Sequence, residues 1–237
     1  MSKYSPPSKS HDITDDEQFA AWDQWLEHIK DEVTRLAVNK HIFWEVQEII
    51  KANPKIQKPS SFYEWMGNVY ATDAVIGIRR LLDPDIRRRS ISFVRLLTEI
   101  KNSPEVLSRT RFLSLYRHAD HPFDVQRFWE KRAHKDFDKF AGEGKPHVDP
   151  ALIEANLSML KEKAKNLHHY ANKRIAHFDT GEFTTLPTFK ELNDCLEFLE
   201  VLLKKYMLLF RAVAYKQALP VWQYDWKAIF REPWIPK

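Results

Sequence analysis

Apolar residues in this chain recur at steps of three and four, in one stretch after another, and that period constrains the fold more than any other feature. Phe19, Trp22, Leu26, Ile29, Val33 and Leu36 form one such series; Leu152, Ile153, Leu157, Leu160, Ala164, Leu167 and Ala171 form another. A helix turns once in about 3.6 residues, so each series lies along one face, which must be buried against a neighbour. Alternation of period two, bounded by turns, does not occur, and no internal repeat stands out. The spacing therefore predicts an all-α protein with negligible sheet.

Breaks in the pattern predict an antiparallel bundle of about six to eight helices. Thr14 and Glu17 match a capping box that opens a first helix, running through Trp44 and Ile49 to Asn53-Pro54, with a kink expected near Asn39. Pro54 to Ser61 reads as a linker. A second helix carries Trp65, Val69, Thr72, Ile76, Arg79 and Arg80 to a stop at Asp83-Pro84. Ser90 reads as the cap of a third, from Ile91 to Lys101, and Ser103-Pro104 as the opening of a fourth. After a break at His118 to Pro122 comes a charged helix from Phe123 to Phe140. The loop holding Gly142, Gly144, Pro146 and Pro150 precedes the sixth. Asp179 to Pro187 reads as a turn, and Thr188 as the cap of a last helix through Tyr215.

Residues 1–13, rich in Ser, Pro and Lys, read as a disordered leader, and 14–218 as one helical domain. Residues 219–237 read as an aromatic C-terminal extension. Its Trp222, Tyr224, Trp226, Phe230 and Trp234 are too many aromatics to leave in water, so it is expected to pack on the domain or on a dimer partner.

Only five glycines occur, at 67, 77, 142, 144 and 181, which excludes a Gly-rich phosphate cradle of the Walker or Rossmann type. No run of about 18 apolar residues is present, and the N-terminus lacks the apolar core of a signal peptide. The one cysteine, Cys195, allows no disulfide within the chain. A soluble cytoplasmic protein without membrane contact is the expectation. A formal charge of +4 permits an acidic partner without requiring one.

The strongest chemical signal is Tyr170-Ala171-Asn172-Lys173-Arg174-Ile175-Ala176-His177-Phe178-Asp179, at the close of the sixth helix. If the helix continues through it, Tyr170, Arg174 and His177 share a face, while Ala171 and Ile175 turn to the core. A guanidinium beside an imidazole, with Asn172 near, suits a phosphodiester: Arg neutralises phosphate oxygens and His moves a proton near neutral pH. The plainer reading is that Arg174 and His177 only complement the helix dipole.

Other clusters carry less. His168, His169, His177 and Asp179, or His118, Asp120 and His121, lack the four-residue spacing of a two-histidine metal site, so neither a metal nor another cofactor is expected. Arg87-Arg88-Arg89 and the series Arg127, Lys131, Arg132, Lys135, Lys139 suit a nucleic-acid backbone, but interspersed acids favour a solvated face. Asp73 and Arg80 read as a buried polar bridge to a neighbouring helix, and Trp22, Trp25, Trp44 and Trp65 as core or interface anchors.

The string from Asn172 to Asp179, with Arg79-Arg80-Leu81-Leu82-Asp83 and the later Ser90-Ile91-Ser92, resembles the HEPN superfamily of helical domains, and within it the abortive-infection U-type (AbiU-like) branch. The resemblance spans Trp22 to Tyr215. It implies a homodimer that acts on RNA as a metal-independent endoribonuclease in prokaryotic defence or a toxin–antitoxin system, with an antitoxin or nucleotidyltransferase as partner. The alternative it leaves open is a non-catalytic interaction or nucleotide-binding module. By the same resemblance His177, Arg174 and Asn172 are the catalytic candidates, and Lys173, Tyr170 and Asp179 the substrate-binding ones. The sequence departs from the family motif at one place: Ala171 occupies the position of its arginine.

Overall fold

The computed structural model describes residues 14–84, 90–116, 123–171 and 186–234. Among these the chain is all-α, with seven α-helices: α1 Asp15–Ala52, α2 Ser61–Leu82, α3 Phe93–Asn102, α4 Arg109–Ser114, α5 Phe123–Ala141, α6 Pro150–Tyr170 and α7 Phe189–Arg211. The one β feature there is an isolated bridge between Ser108 and His147.

Helix ends follow from side chains that satisfy the backbone groups a helix leaves open. Thr14 and Glu17 form the capping box of α1, and Thr188 and Glu191 that of α7. Asp149 caps α6, with Pro150 in the first turn, where a missing N–H costs nothing. At α3 the cap is Ser92 and not Ser90: the Ser92 hydroxyl accepts from Arg95 N–H while donating to the Asp83 carbonyl. The same group thereby joins the end of α2 to the start of α3.

Two further boundaries differ from expectation. After Ser103 the proline opens only a short 3-10 turn, Pro104–Val106, and α4 begins at Arg109. The last helix stops four residues before Tyr215, because Ala212 takes a left-handed conformation, φ 54° and ψ 25°, and its N–H closes on the Leu208 carbonyl. Such a turn costs an L-residue with a Cβ about 1–2 kcal/mol. The chain then doubles back along α7, with Ala218 N–H donating to Glu200 at 3.3 Å.

Side-chain pairs fix the topology. Phe19 stacks on Phe210 at 5.4 Å, and Lys40 meets Glu197 at 2.8 Å, so α1 and α7 run antiparallel along their length. Phe43 stacks on Tyr70 at 4.2 Å and Arg35 pairs with Asp73, making α1 and α2 antiparallel. Asn156 donates to Tyr206 and Asn166 to Glu191, which does the same for α6 and α7. α6 in turn packs on α2, closing a four-helix ring in the order α1, α2, α6, α7. α3 covers α6, and α4 packs on α5 and α7.

The core is one continuous cluster that includes Trp22, Phe93, Phe137, Phe140, Tyr206 and Phe210. Cys195 lies within it, and burial pushes its thiol up to about 12, so it acts as a small apolar group. Trp22 is a core anchor and Trp25 carries Arg95 over its ring at 4.1 Å, but Trp65 is 58% exposed. In the tail, Trp222 and Trp226 pack around His41 of α1, each 6.1 Å from its ring, and Lys227 pairs with Glu45. No helix among the described residues is long and apolar enough to cross a membrane.

Candidate functional site

The end of the ring where α6 closes and α7 opens is built by packing. The α6 stripe seats Ile153, Leu157, Leu160, Ala164, Leu167 and Ala171 in the core; Leu152, expected with them, is 37% exposed, since it lies at the outer edge of the first turn. Opposite, Phe189 in the first turn of α7 stacks on Phe43 at 5.5 Å. Trp44 Nε1–H and the Tyr70 hydroxyl both donate to Asn193 Oδ1, at 3.2 and 3.5 Å. Burial, aided by Asp73, pushes the Tyr70 hydroxyl up to about 12, which keeps it protonated as a donor. Glu191 serves twice, as partner of the Thr188 cap and as acceptor from Asn166 at 2.7 Å.

Between these elements lies a small apolar cavity of about 130 Å³, walled by Ala71, Val75, Leu167, Tyr170, Phe189 and Leu192. Tyr170 is half-buried there. Ala171, which follows it, is only 1% exposed, and its N–H is shared by the carbonyls of Leu167 and His168. Asn172, Lys173, Arg174, His177 and Asp179 come next and lie outside the described residues, as do Arg87 to Arg89, His118, Asp120 and His121.

Beside that exit the ends of α2 and α6 meet. His168 is held less basic than a free imidazole, chiefly by burial and then by the charge of Arg79, with Asp83 opposing and His169 adding to the shift. It is therefore neutral at physiological pH. The Arg79-to-Asp83 run and the helix that leads into residues 172–179 thus share one neighbourhood. Nothing in either segment alone announces His168, because the packing of α2 on α6 is a tertiary fact; the one available signal is that both strings carry cations at helix ends.

Further along α2, Asp73 accepts from both Arg35 Nη1, at 2.6 Å, and Asn39, while Arg35 also grips Glu32 and Arg80 lies 3.7 Å from that same carboxylate. A polar bridge to a neighbouring helix is thus present and spans α1 and α2, but it is not the buried one expected: the Asp73 side chain is 38% exposed and that of Arg80 67%. Gly77 permits it: a Cβ there would meet Leu36 at 2.7 Å and Arg35 and Glu32 at 2.9 Å. On α5, Arg132 and Lys139 both bind the buried Asp136, which holds two cations of the basic series to their own helix.

A family model described as AbiU2, of the HEPN class, matches residues 19–229. The chain belongs to the AbiU2 family of HEPN domains. The comparisons with curated proteins and with solved structures found no match. The AbiU2 match begins in the second turn of α1 and continues through all seven helices into the tail, so the aromatic packing on His41 and the Ser92 cap both fall within the family's extent. In this AbiU2 chain Ala171 is part of the core.

Proposed function

We propose that this AbiU2 protein acts on RNA in an abortive-infection response, as a metal-independent endoribonuclease whose working group is His177. The reading rests on family membership across residues 19–229. It is supported by what precedes the string in the chain, where His168 near the end of α6 feels the charges of Arg79 and Asp83 of α2. The imidazole takes the proton of an RNA 2′-hydroxyl as that oxygen attacks phosphorus, or returns one to the leaving oxygen. Arg174, with Lys173, neutralises the charge that gathers on the phosphorane, the task that Ala171 cannot perform. Asn172 orients a phosphate oxygen, and Tyr170 and Asp179 flank the substrate. A homodimer would set two such helix ends against each other, and an antitoxin or nucleotidyltransferase would keep them inactive.

One observation favours a second reading. The burial of Ala171 removes the motif's own cation, and a domain of this fold that holds RNA or a nucleotide without cutting it would need none there. Incubation of the full chain with structured and single-stranded RNA in EDTA separates the two. The first reading expects cleavage by the natural sequence and its loss in His177→Ala. Equal cleavage by both proteins removes His177 from the mechanism, and RNA retained uncut by both selects the non-catalytic reading.

A further inference from the structure

At the opposite end of the ring, about 24 Å along α7 from Thr188 at 1.5 Å per residue, a second cleft opens where the chain turns out of that helix. It encloses about 520 Å³ and is lined by Lys139, Lys204, Lys205, Lys216, Phe140 and Tyr215, among others. That volume lies within the range of small-ligand sites, about 300–1,000 Å³. Three separate segments supply the lysines: the last turn of α5, the body of α7, and the stretch after Ala212. The left-handed turn at Ala212 is what sends Tyr215 and Lys216 to the wall of the cleft.

The four ammonium groups are not equally satisfied. Lys139 pairs with Asp136 at 2.6 Å and Lys204 with Glu200 at 2.8 Å, each on its own helix. Among the described residues no carboxylate pairs with Lys205 or Lys216. Lys205 is half-buried; it donates only to the Asn156 amide oxygen, at 3.3 Å, and its Nζ lies 5.8 Å from the centroid of Phe140. Burial alone lowers its basicity. Withdrawing a cation from water without a counter-charge is costly, and an anion in the cleft offsets that cost. Several ammonium groups around one concavity call for a ligand with several charged oxygens, which a phosphate chain supplies and a single carboxylate does not.

We propose that this cleft is a phosphate-recognition site, distinct from the junction of α6 with α7, in which Lys205 and Lys216 grip the oxygens of a phosphate-bearing ligand and Lys139 and Lys204 add to the field. Two sources offer that chemistry: a free oligophosphate such as a nucleotide tail, and the backbone of an RNA strand. The site does not depend on the nuclease reading, since phosphate alone tests it.

The test titrates the full chain with sodium tripolyphosphate by calorimetry and with a fluorescein-labelled single-stranded oligoribonucleotide by anisotropy. Three variants accompany it: Lys216→Glu on an exposed side chain, Lys205→Met, and Lys165→Glu on the exposed face of α6 as a control for bulk charge. Lys205→Met and Lys216→Glu are each expected to weaken binding about tenfold or more, as loss of one charge-assisted bond does, while Lys165→Glu leaves it unchanged. A fall with tripolyphosphate alone assigns the site to free phosphates; a fall with RNA, alone or in addition, assigns it to a backbone. Circular dichroism checks folding, and should Lys205→Met fail to fold, Lys216→Glu decides. No binding of either probe, or equal weakening by all three variants, overturns the proposal.

Discussion

Where α1 packs on α2 the charged groups are paired, Arg35 sitting between Glu32 and Asp73. Where the chain turns out of α7, Lys205 and Lys216 line an open cleft without a carboxylate of their own among the described residues. Paired charges at a helix contact fix register, because removing one strands its partner. Unpaired ones lower stability slightly and keep binding capacity in reserve. The difference separates residues that hold the bundle together from residues available to a ligand, and it does so without reference to which are numerous or basic.

The largest effect should come from the packed end. Phe43 is buried in a stack with Tyr70 and Phe189, and Phe43→Ala is expected to cost about 3–5 kcal/mol in urea unfolding. A loss below about 1 kcal/mol would break the comparison, showing that the stack does not organise this end. A smaller, pH-confined effect belongs to His168. Its folded pKa lies below the reference of 6.5, so the unfolded chain takes up the proton first. The associated stability is complete above that reference and is lost as pH falls through the folded value. Thermal melts from about pH 7 to about pH 5 should show this decline, and His168→Gln should flatten it; a decline of the same size in the variant would assign it to other groups. The smallest effect is expected at the lysine end. Ala212→Gly relieves a left-handed residue at some cost in unfolded-chain entropy, for a net gain of up to about 1 kcal/mol. A loss instead would mean that the Ala212 methyl packs against something its φ does not reveal.

Helix identity was legible because burial demands a period, and the period survives in single segments. Ile153 through Ala171 on α6 was read this way, and so were both capping boxes, whose Thr and Glu lie three apart in the chain. What failed was decided by contacts that local spacing does not carry. Ser92 outcompetes Ser90 because its hydroxyl reaches the carbonyl of Asp83, nine residues back. Tyr215, apolar and in phase, was counted into α7, yet the helix ends at an alanine that carries no glycine-like warning. As for the site, Tyr170 was found from the string it begins. His168 entered the sequence reading only as a metal candidate, and the four-lysine cleft not at all, because its members are scattered from 139 to 216.

Ala171 bears on how such a domain could change its chemistry. Its methyl is buried, and its amide is engaged by two carbonyls of the preceding turn. Mutating that one codon to arginine would drive a guanidinium into hydrocarbon instead of delivering it to a substrate. An arginine at this position would reach water only if the end of α6 rolled or unwound, so the position cannot gain a useful charge without a change in the helix that carries it.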